Sequence, residues 1–298
     1  MTDFMDGAVS VSDMLQNMTD ELREDMLGLY PDVRFGSNDK LRMIMNKVYA
    51  KTGRQFVIVI DEWDAVFRTW KEDENGQKEY LDFLRDILKD KPYVALAYMT
   101  GILPIKKYGR HSALNMFDEY SMTVPLSLAP YMGFTEDEVS KLCRRYGRNF
   151  DAIKEWYDGY TIGASRYSLY SPLSVVKAVS SGLIMNYWNK TETYEALAEY
   201  IRMDYDGLKD AVALLMDGGR VQIDTSTYQN DMTTFHGRDD ILSLLIHLGY
   251  LGYDDTTREV FIPNREILDE FKTSTKSDEW ADTFEAFRLS QKLSITGA

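Results

Sequence analysis

The sequence predicts a mixed α/β fold built on a parallel sheet, and three observations predict it. Phe56-Val57-Ile58-Val59-Ile60 is a continuous apolar run, rich in β-branched residues and without a helical stripe, so it reads as a fully buried strand. Tyr93-Val94-Ala95-Leu96-Ala97-Tyr98-Met99 is a second run of the same kind. Segments before and between them repeat their apolar residues at threes and fours. Strand alternating with amphipathic helix calls for right-handed crossovers and parallel pairing.

Each element has its local reason. Residues 1–10 read as the tail of a strand and the loop after it. Val11 to Tyr30 reads as a helix on Met14, Leu15, Met18, Leu22, Met26, Leu27 and Leu29, closed by Gly28 and Pro31. Lys40 to Lys51 is a second helix with Ser37 or Asn38 as its cap, and Thr52-Gly53 stops it before the first strand. The charged stretch Lys71 to Gly76 reads as a surface loop, followed by a helix from Tyr80 to Lys89 that Pro92 ends. Tyr120 to Leu128 alternates in character and reads as a strand, with Pro125 placing it at an edge.

Farther along, Thr135 with Glu138 three residues later forms a capping box, and Phe150 to Tyr157 is a helix with Gly159 as the left-handed residue after it. Pro172 opens a helix over Leu173 to Ser180, and two more fall within 191–217. Val221 to Asp224 reads as a short strand. Asp239 to Leu248 is a helix; Gly249 to Asp254 and Glu259 to Pro263 flank Asp255-Thr256-Thr257 as a hairpin; Asn264 to Phe271 is helical again. Helix, hairpin, helix is the order of a winged-helix module. Asp254, Asp255 and Glu259 on the wing favour intramolecular packing over DNA contact.

Composition narrows the function classes. A chain of 298 residues with 44% hydrophobic and 13% aromatic content has material for one large or two ordinary domains and is not a disordered chain. A net charge of -14 disfavours direct nucleic-acid binding, which needs a basic footprint. Cys143 is the sole cysteine and there are three histidines, so neither an internal disulfide nor a Cys/His zinc cluster is expected, and the cytoplasm is the simplest home. No run of about 18 apolar residues is present, so no membrane span is expected. The acidic start lacks the positive charge of a secretory signal.

The chemistry-bearing residues sit at the strand ends. Asp61 and Glu62 follow the first strand directly, and ligands of open α/β sheets bind at the carboxyl ends of strands. Carboxylates there can hold Mg²⁺ through water and activate a nucleophile, the logic of a Walker B element. The plainer reading is that acids often end strands at a surface. Thr100 closes the second strand, either as a polar residue facing the same place or simply as a strand terminator. Lys106, Lys107 and Arg110 form a basic loop that reads as phosphate contacts, with Arg110 as a possible arginine finger, or as a solvated surface.

Six blocks carry a resemblance: Val57 to Ala65, Thr100 to Tyr108, Ser112 to Phe117, Gly133 to Val139, Trp156 to Tyr160, and Leu169 to Val175. Taken in order they resemble the predicted AAA-ATPase (AAA-ATPase-like) family of bacterial proteins, over nearly the whole chain. The resemblance implies a P-loop NTPase that uses ATP and Mg²⁺, with Asp61 orienting the metal, Glu62 polarising the attacking water and Thr100 sensing the γ-phosphate. It further implies a PD-(D/E)XK nuclease-like region at the C-terminus of many relatives. Two departures stand out. The chain contains no Gly-x-x-x-x-Gly-Lys-Ser/Thr; the nearest fragment, Arg34-Phe35-Gly36-Ser37, lacks the lysine. It also stops at about the point where the nuclease-like region would begin.

The expected architecture is therefore an α/β partial P-loop NTPase sheet flanked by helices over 1–130, a helical lid-like region over 131–220, and a winged-helix-like module over 221–298. The chain is expected to be a fragment or degenerate copy with impaired ATP binding and hydrolysis. Its expected partners are a nucleotide and a protein partner or nuclease domain. The other reading is a non-catalytic binding or regulatory module acting through the winged-helix-like region. A metal nuclease using Asp61 and Glu62 lacks the lysine that the second strand would have to carry.

Overall fold

Phe56–Ile60 (β1) and Val94–Met99 (β2) pair in parallel, as the sequence predicts, with Val57 opposite Leu96 and Ile60 opposite Met99. The computed structural model describes residues 1–104, 114–163, 166–188, 193–203, 205, 207–228, 235–276, 280 and 283. These fall into two compact units, one reaching Asp118 and the other beginning at Glu119. The fold is mixed α/β.

In the first unit, Val11–Leu29 (α1) and Leu41–Thr52 (α2) precede β1, while Ala65–Thr69 (α3) and Glu74–Leu88 (α4) connect β1 to β2. Val11, Met14, Leu15 and Met18 of α1 pack with Tyr80, Leu84, Ile87 and Leu88 of α4 and with Ile60 and Trp63. Each such aliphatic side chain contributes about 1.5–3 kcal/mol by leaving water. Only the N-terminal half of α1 is buried: Leu27 and Leu29, expected on the inner stripe, are exposed.

Several expectations need correction. Residues Thr2–Met5 form a 3₁₀ turn rather than the tail of a strand; it sets Met1, Phe4, Met5 and Ala8 against the core. Neither Ser37 nor Asn38 caps α2. Asp39 turns inward instead, accepting from the Gly36 amide at 2.7 Å and pairing with Lys47 at 2.5 Å. Of the expected loop Lys71 to Gly76 only the first half lies outside helix: the Asp73 carboxylate accepts from the Gly76 amide and starts α4 at Glu74. Nor is β1 buried on both faces. A two-residue period sends Val57 and Val59 to the side away from the helices, where they are 64% and 66% exposed beside exposed Leu96 and Tyr98.

The second unit is helical with two small antiparallel sheets. Phe134–Thr135 (β3) leads into Glu136–Tyr146 (α5), and the capping box is present: Thr135 N–H donates to Glu138 Oε2 at 2.8 Å. Phe150–Tyr157 (α6) follows, then Tyr160–Ile162 (β4), Tyr167–Tyr170 (β5) and Pro172–Ser181 (α7). The first sheet runs β3-β5-β4. After Thr193–Ile201 (α8) and Leu208–Met216 (α9), Val221–Gln222 (β6) joins a second sheet. Arg238–His247 (α10), Gly252–Asp254 (β7), Glu259–Phe261 (β8) and Arg265–Ser274 (α11) complete the expected helix–hairpin–helix order, with sheet order β6-β8-β7.

Tyr120 to Leu128 is not a strand. Ser121 and Val124 exchange backbone hydrogen bonds in a turn, and Leu126–Tyr131 is a 3₁₀ helix started by Pro125. Gly159 serves close approach: with φ +128°, it lies where a Cβ would stand 1.9 Å from the Pro263 carbonyl oxygen. No helix among the described residues is long and apolar enough to cross a membrane.

Candidate functional site

The site grows from the carboxyl ends of β1 and β2. Thr100 N–H continues the ladder by donating to the Ile60 carbonyl at 2.9 Å, and Trp63 N–H returns to the Thr100 carbonyl at 2.9 Å. Those bonds fold Asp61 and Glu62 into a tight corner beside Thr100. Within it the Thr100 hydroxyl donates to Asp61 Oδ1, which also accepts from the Glu62 amide at 3.0 Å. The Thr100 hydroxyl above all, helped by the Glu62 amide and the terminal ammonium, holds the Asp61 carboxyl below the usual range. Asp61 is exposed, and its Oδ2 has no hydrogen-bond partner among the described residues.

Glu62 has a left-handed backbone, φ 52°, which costs a non-glycine residue about 1–3 kcal/mol unless its surroundings fix it. Here three hydrogen bonds fix it. Its amide is held by Asp61, its carbonyl accepts from Ala65 N–H at 3.0 Å, and Trp63 N–H is tied to Thr100. The Glu62 side chain is half-exposed, with Arg68 Nη2 at 3.8 Å.

Sequence reasoning passed over Asp64 and Arg68. Asp64 is 0% exposed; its Oδ2 accepts from the amides of Ile102 and Leu103 at 3.1 and 2.9 Å and lies 3.4 Å from Arg68 Nε. Asp64 thus ties the end of β1 to the segment after β2, and Arg68 stands between Asp64 and Glu62. The i,i+4 spacing of the two, directly after an acidic pair, is the signal that could have found them. Gly101 must be glycine for this closure: a Cβ there would meet Asp64 Oδ1 and Trp63 Cδ1, each at 2.7 Å. Below the corner, the Tyr80 hydroxyl donates to the Trp63 carbonyl at 2.8 Å, and burial pushes that phenol far above its ordinary range.

Asp61, Glu62 and Thr100 therefore come together. Lys106, Lys107 and Arg110 lie outside the described residues. A separate groove between α1, α2 and α4, about 690 Å³, is lined by Arg23, Asp39, Arg42, Asp82 and Asp86, and Asp61, Glu62 and Thr100 are not among its lining residues. Its guanidinium groups are committed, Arg23 to Asp20 and Arg42 to Asp86.

Residues 3–109 match the predicted AAA-ATPase family. The AAA-ATPase-like segment takes in both parallel strands, the corner and Asp64. The chain is also 24% identical over 164 residues to an uncharacterized protein in the vnfD 5' region of Azotobacter chroococcum mcd 1. That match covers 53% of this chain and 31% of the relative, so the chain spans under a third of its length. No solved structure gives a significant match.

Among the described residues no three His, Cys, Asp or Glu side chains cluster as a metal site; Mg²⁺ needs only one or two carboxylates and otherwise keeps water or phosphate oxygens, and Asp61 and Glu62 are the residues that could hold it. Asp61 offers an open carboxylate oxygen at a strand end. A triphosphate fits less well. It needs a cradle of backbone N–H groups and a lysine. The sequence has no such motif, and the first amides after Gly101 are already committed to Asp64.

Proposed function

We propose that the AAA-ATPase-like segment is the acidic, Mg²⁺-facing half of an ATP-handling centre. The observation that supports it is the hydrogen-bonded pairing of Asp61 with Thr100 at the carboxyl ends of two parallel strands. Asp61 holds the metal through its free oxygen and stays ionised to do so. Glu62 polarises water beside it, and Thr100 orients Asp61 and faces the γ-phosphate. A bound Mg²⁺–nucleotide supplies the charge neutralisation and the electrophilic phosphorus that phosphoryl transfer requires. Lys106, Lys107 and Arg110 are the basic residues that could meet phosphate. This reading retains the boundaries at 130 and 220, with a winged-helix-like module after them.

Without a Gly-x-x-x-x-Gly-Lys-Ser/Thr, these 298 residues alone hydrolyse ATP negligibly. Isothermal titration with Mg-ATP is expected to give no micromolar binding; micromolar affinity would overturn that statement. Titration with Mn²⁺ alone tests the acidic half. Asp61→Asn should weaken binding roughly tenfold or more, and an unchanged isotherm removes Asp61 from metal binding. The same missing motif favours a second reading, a non-catalytic binding or regulatory module that reaches its partner through the helix–hairpin–helix. Failure of both titrations would leave that reading standing.

A further inference from the structure

We propose that Glu266 is a proton-controlled latch in the second unit: neutral, it fastens α11 to α7 and to residues 186–188, and ionised, it loosens that junction. Glu266 is 0% exposed and Glu270, one turn on, is 1% exposed. Both carboxyls are wholly inside the protein. Among the described residues neither has an ion pair with Lys, Arg or His.

Among the described residues the contacts to the Glu266 carboxyl are neutral donors: the Ser174 hydroxyl and the amides of Tyr187 and Trp188. From α7, the Ser174 hydroxyl donates to Oε2 at 2.7 Å. From the segment before α8, the Tyr187 amide donates to Oε1 at 2.7 Å, and Asn186 Nδ2 donates to Glu270 Oε1. On α6, the Tyr157 hydroxyl is occupied with the Met185 carbonyl, and on β4 the Tyr160 hydroxyl with the Gly249 carbonyl. α9 reaches α11 at its far end, where Thr275 contacts Met216 Sδ. Arg265 and Lys272 of α11 itself face outward, to Glu155 and Asp269. α8 also packs on α11, and Glu199 on it and Arg202 just after it are exposed. Among the described residues the charges that act on the pair are its own: Glu270 on Glu266, and Asp269 on Glu270.

Two features make the group a switch rather than a fixed charge. Ser174 lies 3.2 Å from Ser171 Oγ and can donate to it. When Glu266 is ionised, Ser174 donates to the carboxylate; when Glu266 is protonated, the carboxyl can donate to Ser174, which turns to Ser171. The Ser174 contact thus survives ionisation; what ionisation adds is an unpaired buried charge beside Glu270, and it is that charge which loosens the junction. Glu270 Oε2, in contrast, has no hydrogen-bond partner among the described residues, so a second charge there is poorly supported. Burial first, then the Glu270 carboxylate, pushes Glu266 up to about 7 against an ordinary 4.5, while burial raises Glu270 as well. A raised acid in the folded state gives stability that is whole below pH 4.5 and is lost as pH rises to about 7.

The test uses the full chain and Glu266→Gln, whose amide imitates the neutral carboxyl. Hydrogen exchange corrected for intrinsic rates should quicken at 184–188 and 265–275 in the natural protein by roughly tenfold or more between pH 5 and pH 8. In Glu266→Gln that rise should vanish, with Tm equal to the natural protein's at pH 5 and higher at pH 8. A rise of the same size in both proteins, or a Tm difference that does not change with pH, overturns the proposal. If the variant does not fold, infrared difference spectra of the natural protein decide it. A buried carboxyl band present at pH 5 and lost by pH 8 supports the latch, and a carboxylate band unchanged across that range refutes it.

Discussion

Replacing Asp64 with alanine removes the group that closes the corner around Asp61. Asp64 is wholly buried and accepts two amide hydrogen bonds, from Ile102 and Leu103, while facing the Arg68 guanidinium at 3.4 Å. A hydrogen bond to a charged group is worth about 1.5–3 kcal/mol, and breaking a buried ion pair by deleting one partner costs about 3–5 kcal/mol. The three contacts share one carboxylate and do not add, so Asp64→Ala should cost about 3–5 kcal/mol. Asp64→Asn also unpairs Arg68 but keeps a carbonyl for the two amides, so it should cost less than the alanine by about 1–2 kcal/mol. Urea unfolding measures the total, and hydrogen exchange of the peptide covering 100–104 localises it. Equal midpoints for all three proteins, or protection of 100–104 unchanged in Asp64→Ala, would refute the role given to this side chain.

Other outcomes follow from the same geometry. Thr100→Val removes the main influence lowering the Asp61 carboxyl, so its titration midpoint should rise; a ¹³C titration that does not move contradicts the hydrogen bond. Gly159→Ala places a Cβ 1.9 Å from the Pro263 carbonyl and should cost about 1–3 kcal/mol, seen as a lower Tm. Burial holds His247, stacked 5.8 Å from Tyr228, down at about 4. A depressed base gives stability that is present above pH 6.5 and lost as pH falls to about 4. His247→Phe should therefore be less acid-sensitive in a thermal melt than the natural protein. Because Glu266 acts in the opposite sense, the two slopes offset each other between pH 4.5 and 6.5 in the unmodified chain.

Much of this was legible in the residues. The run Phe56 to Ile60 is a strand to its last residue, and Thr135 with Glu138 gave a capping box that the side chains form. Burial on both faces was not legible, because an unbroken apolar run looks the same whether helices cover one side or two. The sheet β3-β5-β4 was missed because strands of two to four residues leave no period to detect. The start of α4 was hidden by its charges: Glu72, Asp73 and Glu74 look like a loop, and only the turn of Asp73 onto the Gly76 amide makes the helix begin there. At the candidate site, Asp61, Glu62 and Thr100 could be singled out from position alone. For Asp64 and Arg68 only their i,i+4 spacing was a signal, since what makes Asp64 matter lies in amides 38 and 39 positions away.

That separation also sets an order of events during folding. Thr100 and Asp61 are 39 positions apart, and the ladder joining them is parallel, so no hairpin can bring them together cheaply. The intervening chain must first shorten itself into α4, whose inward face then docks against α1. Local contacts form before distant ones. Closing the acidic corner therefore carries the entropy cost of a 39-residue separation, which the packing of α4 on α1 must offset before Asp61 and Thr100 can meet.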